Sequence, residues 1–505
     1  MKLESLSFQG KYVSLFMRRG LRRSSAKNIK GYMGNIRYNK TISLVCVLLI
    51  SITGSVWGNT QDILGSWMGT LRVGDVELRI AYTIQEDQYG SLSASLHSLD
   101  EVVYDIPVNE IHYEDHRLTL ICEAVQATYE GQLVSERNSV YFDGQWHQGG
   151  QTFDLDLRPV EEIPRPNRPQ DPQPPFPYEQ QEVVFENIPA GIQLAGTLTI
   201  PEGTGPFPVL VTLSGSGSQD RNSTIFEHKP FWVLADYLAR LGMAVLRYDD
   251  RGIGGSTNAE TEATSADLAG DVSAAVSFLL DHPDIDPNRI GLIGHSEGGM
   301  IAPMVATQIE NIALIVLLAG PGVPGSKILL DQNEDIFRAN GAPESVIDTR
   351  LIYLSRVFEI LQDYPDDVEA KEKIKEVFIQ IYGHISSQEL ESEAEAWTSA
   401  WMRFFVLYDP GPTLAQVTCP VLALFCELDI QVDASQNLPV MESILAQAGH
   451  TDYLVQELPE LNHLFQTAQT GVIEEYAQIE ETFSPAAMNL IGAWISERFF
   501  VNIGQ

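Results

Sequence analysis

The chain has 505 residues, too many for one hydrophobic core, so two or three domains are expected. Its 44% apolar and 20% charged content is that of a globular protein. A formal charge of −36 argues against nucleic acid and anionic membrane surfaces as partners.

That charge is uneven. Residues 1–58 hold ten Lys/Arg against one acidic residue, Glu4. Within them Ile42–Ile52 is apolar apart from Ser43 and Ser51, follows Arg37 and Lys40, and precedes small residues. Basic, apolar and small segments in that order predict a secretory signal over 1–58 and an exported, periplasmic or extracellular protein. As an alternative start, Met33 gives a conventional signal length. The apolar run is short for a membrane span, so no stable membrane insertion is expected after cleavage; a single N-terminal anchor is the competing reading. Cys419 and Cys426 bracket a strand-like run, which sets them about 23 Å apart and too far to pair.

Residues 59–160 read as a small all-β accessory domain. Val76, Leu78, Ile80, Tyr82 and Ile84 alternate with Glu77, Arg79, Ala81 and Thr83, the mark of antiparallel strands with one wet face. Gly74, Gly90, Gly131 and Gly144 read as punctuation between such strands, in a barrel or sandwich with no convergent polar set for a ligand. A Pro-rich linker is expected over 161–180, and eight prolines fall between 159 and 177. From 181 to 505 the pattern changes. Near-continuous apolar runs (Val209–Leu213, Met243–Leu246, Ile290–Ile293, Ile312–Ala319, Val421–Phe425) alternate with helical stretches (Phe231–Leu241, Ala266–Leu280, Met300–Ile309, Ala434–Ala448, Pro485–Phe499). Strands buried on both faces read this way, so an α/β domain with a parallel sheet is expected. Between Gly320 and Cys419 the alternation stops, and Val346–Leu361, Asp367–Tyr382 and Ser387–Leu407 carry helical periodicity. A connection of that length needs its own structure, and a helical cap over residues 321–418 is expected.

The chemistry starts at Gly294-His295-Ser296-Glu297-Gly298, a G-x-S-x-G sequence with a strand before it and a helix after it. In a strand–turn–helix elbow the serine is held in a strained conformation, and the flanking positions have no room for a Cβ. Ser296 is the candidate nucleophile. It needs a base and an orienting carboxylate. Downstream of the cap only His450 and His463 remain. His463, on the loop after Tyr453-Leu454-Val455, suits the base, whereas His450 precedes that strand and reads as a turn residue. The acid should follow Val421–Phe425, where Asp429 is better placed than Glu427. Backbone donors for the oxyanion are expected from Glu297 and from Ser214–Arg221, with Ser216 first and Gly217 second. Gly252–Gly255 could cradle a phosphate, but no P-loop lysine accompanies it; a loop supporting the oxyanion strand is the better reading of Arg247–Ser256. Trp401, Phe404 and Phe405 are candidate pocket walls, or anchors of the cap's last helix.

The order Ser296, Asp429, His463 resembles the α/β-hydrolase superfamily over about residues 181–502. More narrowly the chain is similar to bacterial exported esterases, described as carboxylesterases or prolyl-oligopeptidase-like hydrolases, with a small N-terminal β domain. The residues behind this are Gly65-Ser66-Trp67-Met68-Gly69, Ser214–Arg221, Arg247–Gly252 and Trp401–Pro410. Two departures stand out: Ser214 occupies the place of a common loop-opening histidine, and Cys426 that of a glycine before the acid. The resemblance implies an α/β-hydrolase sheet with a helical cap insertion and cleavage of small, short-acyl carboxylic esters without metal or cofactor. Two other functions compete. A serine peptidase of the same fold would need pocket carboxylates for a substrate amine. A non-catalytic binding protein would show a lost triad member, and none is lost. Oligomeric state has no signature in the sequence.

Overall fold

The computed structural model describes residues 60–501, apart from 75, 137–138, 260 and 384–385. The signal-like segment therefore lies outside the described residues. The chain divides into two compact units, one ending at Asn167 and one running on from Arg168.

The first unit is all β. Strands β1 (Gly65–Val73), β2 (Val76–Glu86), β3 (Leu92–Ser98), β4 (Val103–Pro107) and β10 (Arg158–Val160) form an antiparallel sheet in the order β10-β1-β2-β3-β4. A second antiparallel sheet runs β5-β6-β7-β8-β9, from β5 (Glu110–Glu114), β6 (Arg117–Cys122), β7 (Ala127–Glu136), β8 (Ser139–Gln148) and β9 (Gln151–Asp154). The two sheets share one core: Trp67 on β1 meets Phe142 on β8 edge-on with ring centroids 4.7 Å apart, and Tyr82 and Tyr129 are buried beside them. Period-two alternation thus gives the pleat its inner face. Two glycines depart from expectation. Gly131 and Gly144 are not turns but mid-strand partners across β7 and β8, and a Cβ on either would overlap the Tyr129 ring. They leave a flat seat for an aromatic that a side chain would displace.

In the second unit the proline-rich segment is pinned by Arg168 and Gln170. The Arg168 guanidinium donates to the carbonyls of Phe226 (2.8 Å), Ile479 (2.9 Å) and Ala477 (3.1 Å), and Gln170 Nε2 donates to Phe483 O at 2.8 Å. The central sheet has eight strands in the order β11-β12-β14-β13-β15-β16-β17-β18. Its edge is an antiparallel hairpin, β11 (Tyr178–Asn187) and β12 (Ile192–Pro201), of which the first strand overlaps the stretch read as linker. Parallel pairing then joins β14 (Ala244–Tyr248), β13 (Phe207–Leu213), β15 (Ile285–His295), β16 (Ile312–Leu318), β17 (Val421–Cys426) and β18 (Tyr453–Leu458). Every residue of β17 is buried, as are Leu314–Leu318 on β16, which explains why these strands read as unbroken apolar runs.

Helices α1 (Pro230–Arg240), α2 (Ser265–Leu280) and α3 (Glu297–Ala306) connect the early strands. A capping box between Thr264 and Asp267 starts α2. Between β16 and β17 come α4 (Gly325–Ala339), α5 (Glu344–Asp363), α6 (Asp367–Tyr382), α7 (Ser387–Thr398) and α8 (Ala400–Leu407), with a core of their own around Tyr353, Val357, Phe358, Ile374 and Trp397. Ser387–Leu407 is not one helix. Ser399 turns extended (ψ 149°) and accepts from Met402 N at 3.3 Å, so its hydroxyl caps α8 instead of continuing α7. Helices α9 (Ala434–Gln447) and α10 (Pro485–Ser496) complete the unit. Among the described residues no helix is long and apolar enough to cross a membrane.

Candidate active site

The site forms where β15 ends. Ser296 sits between β15 and α3 with φ 55° and ψ −119°, a region that an L-residue holds only under constraint. The constraint is visible on both sides. A Cβ on Gly294 would overlap the Gly298 carbonyl, and one on Gly298 would overlap the Leu213 carbonyl at the end of β13. Ser296 N donates to Leu318 O at 2.8 Å, which ties the turn to the neighbouring strand. This close approach is what the small residues of G-x-S-x-G permit.

The acid loop leaves β17 and is pinned by Glu427 N to Leu458 O (3.0 Å) and Leu428 N to Leu461 O (2.9 Å). It brings Asp429 Oδ2 to 2.7 Å from His463 Nδ1, and both residues are at most 5% exposed. The other Asp429 oxygen accepts the N–H groups of Gln431 (2.8 Å) and Val432 (2.9 Å). With the carboxylate accepting from Nδ1–H, the lone pair of His463 lies on Nε2. Glu427 goes elsewhere, accepting from Glu460 N at 2.9 Å. Cys426 is fully buried at the end of β17 and acts as a core residue there. His450 Nε2 donates to Cys419 O at 2.8 Å, far along the chain from the acid loop.

The histidine loop is fastened to the elbow. His295 Nε2–H donates to the His463 carbonyl at 2.8 Å, with the two rings 4.7 Å apart. Burial, reinforced by the neighbouring His463, pushes the His295 pKa down to about 3, so this ring stays a neutral donor. Asn462 Oδ1 accepts from Leu464 N and Gln466 N, both at 3.0 Å, shaping the turn that carries His463. Among the described residues the Ser296 hydroxyl makes no hydrogen bond, so the serine–histidine contact is not closed here; such contacts often tighten only once substrate is bound.

The loop after β13 runs beside the serine: a Cβ on Gly215 would stand 3.1 Å from Ser296 Cβ. Ser216 is half-buried, and Gly217 is exposed with φ 85°. Two adjacent carboxylates at the end of β14 hold this loop. Asp249 takes Arg221 as an ion pair at 2.8 Å and accepts from Arg221 N at 2.9 Å. Asp250 accepts from Ser214 Oγ (2.9 Å) and Gln219 N (2.8 Å). Sequence reasoning placed this segment in support of the oxyanion strand but missed these two roles; the paired Asp-Asp directly after a strand was the available signal.

The Glu297 side chain was also missed. It is 2% exposed, and its Oε1 accepts from Ser265 Oγ at 2.5 Å and from Trp401 Nε1 at 2.8 Å. Burial raises its pKa above the usual carboxylate range, against the pull of Ser265, Trp401 and Ser216. Trp401 is thereby joined to the residue following the serine. Phe405 stacks on Trp401 (5.4 Å) and is 6% exposed in the sheet's core, whereas Phe404 is half-buried and stacks on Tyr408 (5.2 Å).

The alpha/beta hydrolase family profile matches residues 209–475. The chain is similar to Esterase EstD of Thermotoga maritima, 31% identical over 158 residues that span 31% of this chain and 36% of that protein. It is also similar to acyl-coenzyme A thioesterase 3 of Mus musculus, 30% identical over 128 residues that span 25% of this chain and 26% of that protein. These matches cover about a third of the first relative and a quarter of the second. A Pyrococcus furiosus esterase structure aligns over 67% of this chain and 99% of its own, with 15% identity and a TM-score of 0.38. With the profile spanning more than half of its length, from β13 past the histidine loop, the chain belongs to the alpha/beta hydrolase family.

Proposed function

We propose that the chain is an exported serine hydrolase of carboxylic esters, acting on small, short-acyl substrates. The observation that carries this reading is the buried Asp429–His463 pair at 2.7 Å, on a loop tied through His295 to the strained Ser296 turn. Ser296 Oγ attacks the ester carbonyl carbon while His463 Nε2 takes its proton. Asp429 holds the ring and stabilises the imidazolium. The oxyanion takes the backbone N–H groups of Glu297 and Ser216, or Gly217. His463 then protonates the leaving alcohol, and water repeats the cycle on the acyl-enzyme. Export rests on the residue order in 1–58, cleavage near Asn59 being the proposed maturation step. Likewise, residues 321–418 are proposed to cap the site, with Trp401 and Phe404 facing the acyl group.

The similarity to an acyl-coenzyme A thioesterase favours thioesters as a second substrate class. A panel of p-nitrophenyl esters, acyl-coenzyme A thioesters and aminoacyl-p-nitroanilides separates the readings. Highest kcat/KM on acetyl or butyryl p-nitrophenyl esters supports the esterase. Preference for the anilides would replace it with a peptidase.

A further inference from the structure

The segment between Ser214 and Gln219 contains Gly215 and Gly217, and no regular secondary structure holds it. Left alone, such a loop samples many conformations, yet an oxyanion donor must be fixed before the reaction. One residue joins its two ends. The Asp250 carboxylate accepts Ser214 Oγ at 2.9 and 3.1 Å through its two oxygens, and Gln219 N at 2.8 Å. Its own N–H donates to Gln219 O at 3.0 Å. Asp250 forms no ion pair among the described residues, whereas Asp249 has Arg221 and Asp271 has Arg251 at 2.5 Å. Burial, reinforced by the acidic Glu297 on α3 and Asp271 on α2, pushes its pKa up to about 7 against the pull of the Gln219 and Ser214 hydrogen bonds. A carboxyl kept in so unfavourable a place, with all its hydrogen bonds spent on one loop, has that loop as its task.

We propose that Asp250 is a positioning residue for the oxyanion loop: by clamping Ser214 and Gln219 it holds the N–H groups of Ser216 and Gly217 beside Ser296. Ser214 is the matching half of the clamp. The inference rests on the esterase reading given above.

The test compares wild type, D250A, D250N, S214A and the D250A/S214A double variant on p-nitrophenyl butyrate. Affinity is measured in parallel for an alkyl trifluoromethyl ketone, whose carbonyl takes up Ser296 Oγ to give a tetrahedral oxyanion. D250A should lower kcat about 10²-fold, the scale of a misplaced or lost oxyanion donor, while KM changes by no more than about twofold. The ketone should weaken by a similar factor, because it reports on the transition state. D250N, which keeps the shape and one acceptor, should recover about tenfold of that loss. The double variant should be no worse than D250A, since both changes release the same clamp. D250A with unchanged kcat and ketone affinity in an active wild-type background would overturn the inference while leaving the esterase reading intact. So would a fall in melting temperature with no change in kcat. If D250A does not fold, D250N decides the matter on the same readouts. A wild-type protein that neither hydrolyses the ester nor binds the ketone would overturn both.

Discussion

At the scale of single residues, the candidate site is a set of side chains whose neighbours leave each few alternatives. Asp429 has one oxygen on His463 and the other on two backbone N–H groups, so it cannot rotate without losing all three. Asp429→Asn should keep the loop but present an amide to Nδ1 and favour the wrong tautomer, lowering kcat about 10³–10⁴-fold with little change in melting temperature. Glu427→Gln, directed at Glu460 N instead, should leave kcat within about twofold. Steady-state kinetics on the pair of variants separates the two acids that the sequence left open. Ser296, Asp429 and His463 could be singled out as candidates because a serine–acid–histidine site demands particular residue types in a particular order. Asp250 and the Glu297 side chain were not, because their partners Ser214 and Trp401 are distant along the chain and only the fold brings them together.

At the scale of elements, the buried strands could be read directly, since β16 and β17 have no wet face to interrupt the apolar run. The β11–β12 hairpin escaped because β11 alternates buried and exposed residues and begins inside a proline-rich stretch. The break at Ser399 escaped because helical periodicity continues across it, and only the cap hydrogen bond marks the turn. The aromatic residues of α8 divide by position. Phe405 packs into the sheet's core, so Phe405→Ala should destabilise by about 3–5 kcal/mol and leave acyl-length preference unchanged. Phe404 is half-buried, so Phe404→Ala should alter the ratio of kcat/KM between short and long acyl chains with a smaller loss of stability. Trp401→Phe should cost about 1–3 kcal/mol, because it leaves the buried Glu297 carboxyl short of a donor. Thermal melting together with an acyl-length series on the three variants tests all of these.

At the scale of the whole molecule, buried histidines make stability depend on pH. His228 is fully buried, its ring nitrogens bonded to Thr482 Oγ1 (2.9 Å) and Tyr476 O (3.0 Å), and burial beside Arg168 lowers its pKa to about 4. His295 is lowered further, to about 3. Above about pH 6.5 these histidines are neutral in both folded and unfolded chains. Between about 6.5 and about 4 the unfolded chain takes up protons on these histidines that the folded chain refuses, so their contribution to stability falls across that window, by roughly 3 kcal/mol for His228. Asp250, with its carboxyl pushed up to about 7, works the other way over the same window, so the histidine contribution is read by difference: from pH 7 to pH 4 the melting temperature of His228→Gln should fall less than that of the wild type. The central claim is that this molecule does its chemistry with Ser296. The most direct measurement is the kcat of purified Ser296→Ala on p-nitrophenyl acetate, alongside its circular dichroism and melting temperature. A loss on the order of 10⁶ with an intact fold is expected, whereas activity within about tenfold of wild type would contradict the account.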